Sequence, residues 1–247
     1  MKTYALVGRN ISYSFSRRYF AEKFAQEQIT DCEYINFDIP YIEELPTLIA
    51  ATPTLAGMNV TIPYKEAVLP LLDLQSEALM AIKACNTIKI LPSGKLKGDN
   101  TDYIGFRDSL IPYLQPHHNR ALILGTGGAS KAVAFALSQL GIPFLLVSRE
   151  SSAIAISYDE LTKEIIENHS LIINTTPLGT FPKTEAFPPI PYQWITSQHL
   201  LYDLIYNPEK TTFLDKGATQ GATILNGYPM LVLQAEAAWK IWNEDID

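Results

Sequence analysis

Gly125-Thr126-Gly127-Gly128-Ala129-Ser130 is the stretch whose residue types and spacing point most directly to chemistry. The apolar run Ala121-Leu122-Ile123-Leu124 leads into it, and Ala132, Val133, Ala136, Leu137 and Leu140 follow at helical spacing. Gly141 ends that helix, and residues 142–147 read as a second buried strand. Strand, glycine turn, helix, strand is the unit that sets a pyrophosphate on a helix N-terminus, because backbone N–H groups without a neighbouring Cβ can approach phosphate oxygens. Ser130 takes the place of a third glycine, and a turn of this kind also occurs without a ligand. The second strand ends Val147-Ser148-Arg149. An NAD site carries an acidic residue there for the ribose 2′-OH, whereas a guanidinium suits a 2′-phosphate, with Ser148 as a neutral donor. NADP is therefore the expected dinucleotide. Glu150 is the competing feature, since its carboxylate would either neutralise Arg149 or turn to the ribose itself.

Hydride transfer to a carbonyl also needs a proton donor for the oxygen and groups that hold the substrate. Lys65 follows a strand and a turn, and Asp102 precedes a helical segment, so both sit where a side chain can enter a cleft. A lysine beside a carboxylate can protonate an alkoxide when its pKa is matched to the task. Read alone, the plainer reading of Lys65 is a solvated surface lysine, and that of Asp102 an N-cap for the 103–114 helix. Ser14 and Ser16 alternate, so from an extended segment both would face one way and donate to a carboxylate; a turn and a cap is the plainer reading. No Gly-x-Ser-x-Gly elbow, His-Glu-x-x-His helix or Walker lysine is present. His117, His118, His169 and His199 form no ligand spacing, and no metal is expected. From residues alone, the expectation is a dinucleotide oxidoreductase of unspecified substrate.

The elements that must position these groups alternate between strand and helix. Strands are predicted at 4–7, 34–38, 57–62, 171–174 and 200–206, a hairpin at 86–97 turning at Pro92-Ser93-Gly94, and helices at 17–29 (capped by Ser16), 41–51 (interrupted by Pro46), 66–82 (broken at Pro70), 103–114 and 158–168. Pro112, Pro116 and His117-His118 mark a boundary, and Gly227-Tyr228-Pro229 opens a last helix. This is an α/β chain of two domains, with the 103–114 helix crossing between them. A length of 247 residues suffices for both, each with its own core. A net charge of −7 argues against nucleic acid or an anionic membrane as partner. Cys32 and Cys85 stand in no metal or redox spacing, which suits a reducing cytoplasm. The start of the chain, Met1-Lys2 running into a strand, carries no signal-peptide pattern, and no apolar run is long enough to span a bilayer.

Read together, Ser14-x-Ser16, Asn59-Val60-Thr61-x-Pro63-x-Lys65-Glu66, Asn86-Thr87, Gly98-Asp99-Asn100-Thr101-Asp102, the 125–129 turn, Asn174-Thr175-Thr176-Pro177, Asp203-x-x-Tyr206, Asn226-Gly227 and Gln234-Ala235 resemble shikimate dehydrogenase, in order along nearly the whole chain. The resemblance implies NADPH-dependent reduction of 3-dehydroshikimate to shikimate, toward chorismate and the aromatic amino acids. It implies a substrate-binding catalytic domain at 1–102, a connecting helix and linker at 103–117, and a Rossmann-like NADP-binding domain at 118–227. The C-terminal helix, 228–247, would pack back on the first domain. Ser14 and Ser16 would bind the substrate carboxylate; Asn59, Thr61, Asn86, Tyr206 and Gln234 would help hold the substrate. Lys65 and Asp102 would be the catalytic pair, with Lys65 the proton donor in reduction. Gly125, Thr126, Gly127, Gly128, Ala129, Ser130, Arg149, Leu204 and Gly227 would line the cofactor, with Met230 near the nicotinamide. The partners implied are small molecules only, in a monomer or homodimer.

The chain departs from the family in three places. Arg17 replaces a common proline, Ser151-Ser152-Ala153 supplies no second basic residue, and the segment from Arg149 to Leu161 is short, as if a helix and a strand were trimmed. Two other readings stay open: an NAD-using quinate/shikimate dehydrogenase, and a non-catalytic sensor that binds shikimate. Arg149 and Ser14 argue against the first, and the presence of both Lys65 and Asp102 argues against the second.

Overall fold

Strand β1 (Lys2–Gly8) is buried from Thr3 onward, as a strand with parallel neighbours on both sides must be. The computed structural model describes residues 1–12 and 14–244. It divides the chain into two units, Met1–Thr101 with Ala235–Asp247, and Asp102–Gln234. In the first unit, β1 is followed by α1 (Phe15–Gln26), β2 (Cys32–Asp38), α2 (Leu45–Ala51), β3 (Leu55–Val60), α3 (Tyr64–Ala67), β4 (Leu74–Gln75), α4 (Glu77–Ile82), β5 (Thr87–Ile90) and β6 (Leu96–Asp99). The sheet order is β2-β1-β3-β5-β6-β4, parallel through β3 and extended by the antiparallel β5–β6 hairpin. Alternation along β1 builds a core on each face. Tyr4 and Leu6 join Phe20, Phe24 and Tyr34, while Ala5 and Val7 join Phe37, Met58 and Ile88.

The second unit opens with α5 (Asp102–Leu110) and continues through β7 (Ala121–Leu124), α6 (Gly128–Gln139), β8 (Phe144–Ser148), β9 (Ala155–Ser157), α7 (Lys163–Asn168), β10 (Leu171–Asn174), β11 (Leu200–Asp203), α8 (Thr212–Thr219) and β12 (Thr223–Leu225). Its six strands are all parallel, in the order β12-β11-β10-β7-β8-β9. Counted from β7, this is the doubly wound order 3-2-1-4-5-6, with its switch point between β7 and β10. The last helix, α9 (Tyr228–Asn243), belongs to this unit as far as Gln234 and to the first unit beyond it. The end of the predicted 228–247 helix, residues 245–247, lies outside the described residues.

Several expectations are corrected by the geometry. The third strand of the second sheet is present: β9 pairs with the end of β8, Leu146 opposite Ala155 and Ser148 opposite Ser157. Only the crossover helix is missing. Residues 149–154 suffice as a connection because a three-residue strand paired to the end of β8 requires the chain to step back only two positions. The predicted 66–82 helix is two helices separated by a 3₁₀ turn at Leu69–Leu71 and by β4, since Pro70 offers no N–H to continue the ladder. Pro46 opens α2 rather than interrupting it, standing in a first turn where a missing N–H costs nothing. The 158–168 segment is a 3₁₀ turn with a Ser157/Glu160 capping box, then α7 capped by Thr162. Helix α8 and strand β12 were not expected at all.

Candidate active site

In the first unit, the loop after β1 is held by Asp38, whose carboxylate accepts from the N–H groups of Asn10 at 2.8 Å and Ile11 at 3.1 Å. It delivers the chain to Ser14, which caps α1 by accepting from Arg17 N–H at 3.5 Å. Ser14 is therefore the cap and Ser16 lies in the first helical turn, so the two do not alternate along an extended segment as expected. Both are half-buried. Thr61 follows β3 and is tied to β1 through Val7 carbonyl at 2.9 Å. Lys65 lies in α3, half-buried, and its carbonyl accepts from Cys85 N–H at 2.7 Å.

Asn59 and Asn86 are buried and embedded in a polar network. Asn59 Oδ1 accepts from the Tyr34 hydroxyl at 2.8 Å, and its Nδ2 donates to Asn86 carbonyl at 3.3 Å. Asn86 grips Thr101 twice, accepting from its N–H at 2.6 Å and donating to its hydroxyl at 3.0 Å. Thr101 is fully buried, and the next residue, Asp102, begins α5. This network fixes where α5 starts, and hence where Asp102 stands. Asp102 is the first helical residue of α5, half-buried, rather than a residue in a preceding loop.

In the second unit, the turn after β7 meets the switch point of the sheet, where ligands of such folds bind. Gly125 has φ +108°, and a Cβ there would fall 2.8 Å from Thr175 Oγ1, so glycine is required both for conformation and for space. A Cβ on Gly127 or Gly128 would meet nothing within 4 Å. The first turn of α6 thus presents open backbone to an anion, which fits a dinucleotide pyrophosphate. Thr126 and Ala129 are exposed beside it. Ser130 is buried and donates to Gly127 carbonyl at 2.6 Å, closing the turn from within. Arg149 is exposed and, among the described residues, forms no ion pair with Glu150 or any other carboxylate. Ser148, beside it, donates to Glu150 carbonyl within the same turn.

Gly227 packs directly on the Leu204 carbonyl, a contact that leaves no room for a side chain, and its N–H donates to Ile205 carbonyl at 3.0 Å. Met230 is buried with Phe106 and Tyr202. Gln234 is buried, with Nε2 donating to Leu231 carbonyl at 2.8 Å, and Tyr206 is 42% exposed. Two further residues stand in the motifs quoted from the sequence but were given no role there. Asn174 and Asp203, facing each other at the ends of β10 and β11, are fully buried and bonded at 3.0 Å. Asn174 also accepts from the Thr176 hydroxyl at 2.7 Å, and Asp203 accepts from Ile205 N–H at 3.1 Å and the Thr211 hydroxyl at 2.6 Å. Burial pushes the Asp203 carboxyl up to about 6 despite these bonds. Their signal in the sequence was a polar residue ending each of two apolar strands.

Residues 6–88 match the family model described as the shikimate dehydrogenase substrate binding domain. The shikimate dehydrogenase (NADP(+)) of Clostridium beijerinckii is 38% identical over 99% of this chain and 93% of its own. The chain belongs to the shikimate dehydrogenase family. Among solved structures, shikimate 5-dehydrogenase from Thermus thermophilus, in complex with NADP(H) and shikimate, is 31% identical with a TM-score of 0.85, over 98% of this chain and 94% of that one. The family's fold extends to other substrates. Quinate dehydrogenase from Corynebacterium glutamicum, in complex with NAD, superposes with a TM-score of 0.86 at 25% identity, over 98% and 93% of the two chains.

Proposed function

We propose that the protein catalyses the reversible NADPH-dependent reduction of 3-dehydroshikimate to shikimate, a step toward chorismate and the aromatic amino acids. The observation that carries this reading is that likeness to NADP-linked shikimate dehydrogenases extends over 99% of the chain, with both Lys65 and Asp102 in place. Bound NADPH supplies the hydride. Ser14 and Ser16 hold the substrate carboxylate at the start of α1, and Asn59, Thr61, Asn86, Tyr206 and Gln234 hold the rest of the substrate. Lys65 gives its ammonium proton to the oxygen of the carbonyl as it becomes a hydroxyl, with Asp102 as the other member of the catalytic pair. The open N-terminus of α6 takes the pyrophosphate, and the exposed Arg149 takes the 2′-phosphate. Leu204, Gly227 and Met230 form the wall near the nicotinamide.

The NAD-linked reading draws on one feature, the short 149–154 connection, which supplies no second basic residue. Cys32 and Cys85 are free thiols, as suits a reducing compartment, and we take the protein to act in the cytoplasm as a monomer or homodimer. The test is absorbance at the nicotinamide band with shikimate and either NADP or NAD. Turnover with NADP and far less with NAD is expected. Turnover with NAD alone would replace the 2′-phosphate role of Arg149. Binding of shikimate without turnover with either would make the protein a sensor.

A further inference from the structure

Tyr34 belongs to none of the motifs, yet its hydroxyl sits at a junction of the first unit. The residue is on β2 and 8% exposed. Its ring stacks on Phe20 of α1 at 4.6 Å with 15° between the planes, and Trp242 of α9 closes the edge at 6.4 Å. A ring clamped this way presents its hydroxyl in one direction. That hydroxyl donates to Asn59 Oδ1 at 2.8 Å and has the Ser16 side chain as its second polar neighbour. With Oδ1 so engaged, the Asn59 amide turns Nδ2 toward Asn86 carbonyl and the Thr87 hydroxyl, at 3.3 and 3.4 Å. A reversed amide would set its oxygen against the Asn86 carbonyl, which only accepts, so that carbonyl fixes which way the amide faces and the phenol holds its Oδ1 in place.

We infer that Tyr34 is a positioning residue for substrate, holding the Asn59 amide with a single buried phenol. The inference rests on the reading that Asn59 holds the substrate. One oxygen thus steadies the end of β3, where the substrate's hydroxyls are recognised. Its aromatic clamp keeps it from taking part in the chemistry itself.

The test is Tyr34→Phe, which removes that oxygen and keeps the stacked ring. The Michaelis constant for shikimate should rise about tenfold, the effect of one neutral hydrogen bond, while that for NADP stays as in the wild type. Calorimetric binding of shikimate alone should weaken by the same factor. A lower Tm with both Michaelis constants unchanged would reduce Tyr34 to a packing residue and overturn the inference, as would an equal rise for both substrates. A wild-type protein that binds shikimate without oxidising it would sink the enzymatic reading only, and the calorimetric ratio would still decide the role of Tyr34. A wild-type protein that does not bind shikimate would sink both.

Discussion

A lysine that protonates a developing alkoxide stabilises the transition state far more than the bound substrate. Lys65→Ala is accordingly expected to lower kcat by about 10²–10⁴-fold with little change in the Michaelis constant for shikimate, as measured by steady-state kinetics. A tenfold rise in that constant at unchanged kcat would remove Lys65 from the chemistry and leave it a binding group. Arg149 offers a cleaner separation, because it is exposed and, among the described residues, in no ion pair. Arg149→Ala should raise the Michaelis constant for NADP about tenfold to a hundredfold, the loss of a charge-assisted bond, and leave NAD use nearly untouched. Equal losses with the two cofactors would show that the guanidinium supports the loop and not the 2′-phosphate.

At the level of elements, the ends of β10 and β11 are locked by Asn174 and Asp203, and the lock titrates. Asp203 has its carboxyl raised from 3.8 to about 6 by burial, so the folded state holds a proton that the unfolded chain has already released. Its contribution to stability is full below about pH 4 and is lost as pH rises through about 6, some ~3 kcal/mol for a change of this size. The wild type should therefore lose Tm relative to Asp203→Asn between pH 4 and 6.5, while parallel curves would mean an ordinary carboxylate. The glycine turn, its flanking strands and α6 were legible because each follows from a local rule, glycine for close approach and periodicity for burial. β9 was not, since three residues carry no periodicity and only pairing with β8 makes them a strand. Ser16 was taken for the cap of α1 because the apolar spacing starts at Phe20, but the first helical turn needs no apolar residue, and Ser14 caps it. Helix α8 stops at Gly221, φ +84°, but its start was not legible; its cap, Thr211, shows only once Asp203 is seen to hold that hydroxyl. The catalytic candidates were legible through family likeness, whereas Tyr34 was not, because Asn59 lies 25 residues away and no spacing announces the bond.

For the whole molecule, acid stability is set by groups pulling in opposite directions. His118 and His169 are buried, and desolvation lowers their pKa, helped by His117 and His199 beside the first and Arg120 beside the second. Stability from these histidines is full above about pH 6.5, the unfolded value, and is lost as pH falls through the lowered folded values. Asp203 opposes this over part of the same range. In the Asp203→Asn variant the opposing group is gone, so its Tm should fall between pH 7 and 5; a flat profile would show that the histidines titrate alike in both states. The path of the chain carries a different consequence. Ala235, Ala238 and Trp242 complete the cluster around Tyr4, Phe20 and Phe24, Trp242 donates to Ile88 carbonyl at 3.0 Å, and Lys23 holds Glu236 at 2.9 Å. During synthesis those residues leave the ribosome after the whole of the second unit, so the contiguous second unit can fold while the first still waits for its closing helix. A fragment ending at residue 101 should lack a fixed tertiary structure by near-ultraviolet circular dichroism and regain it on adding a peptide of residues 228–244. A nascent chain stalled before residue 235 would accordingly expose its N-terminal aromatic cluster to chaperones.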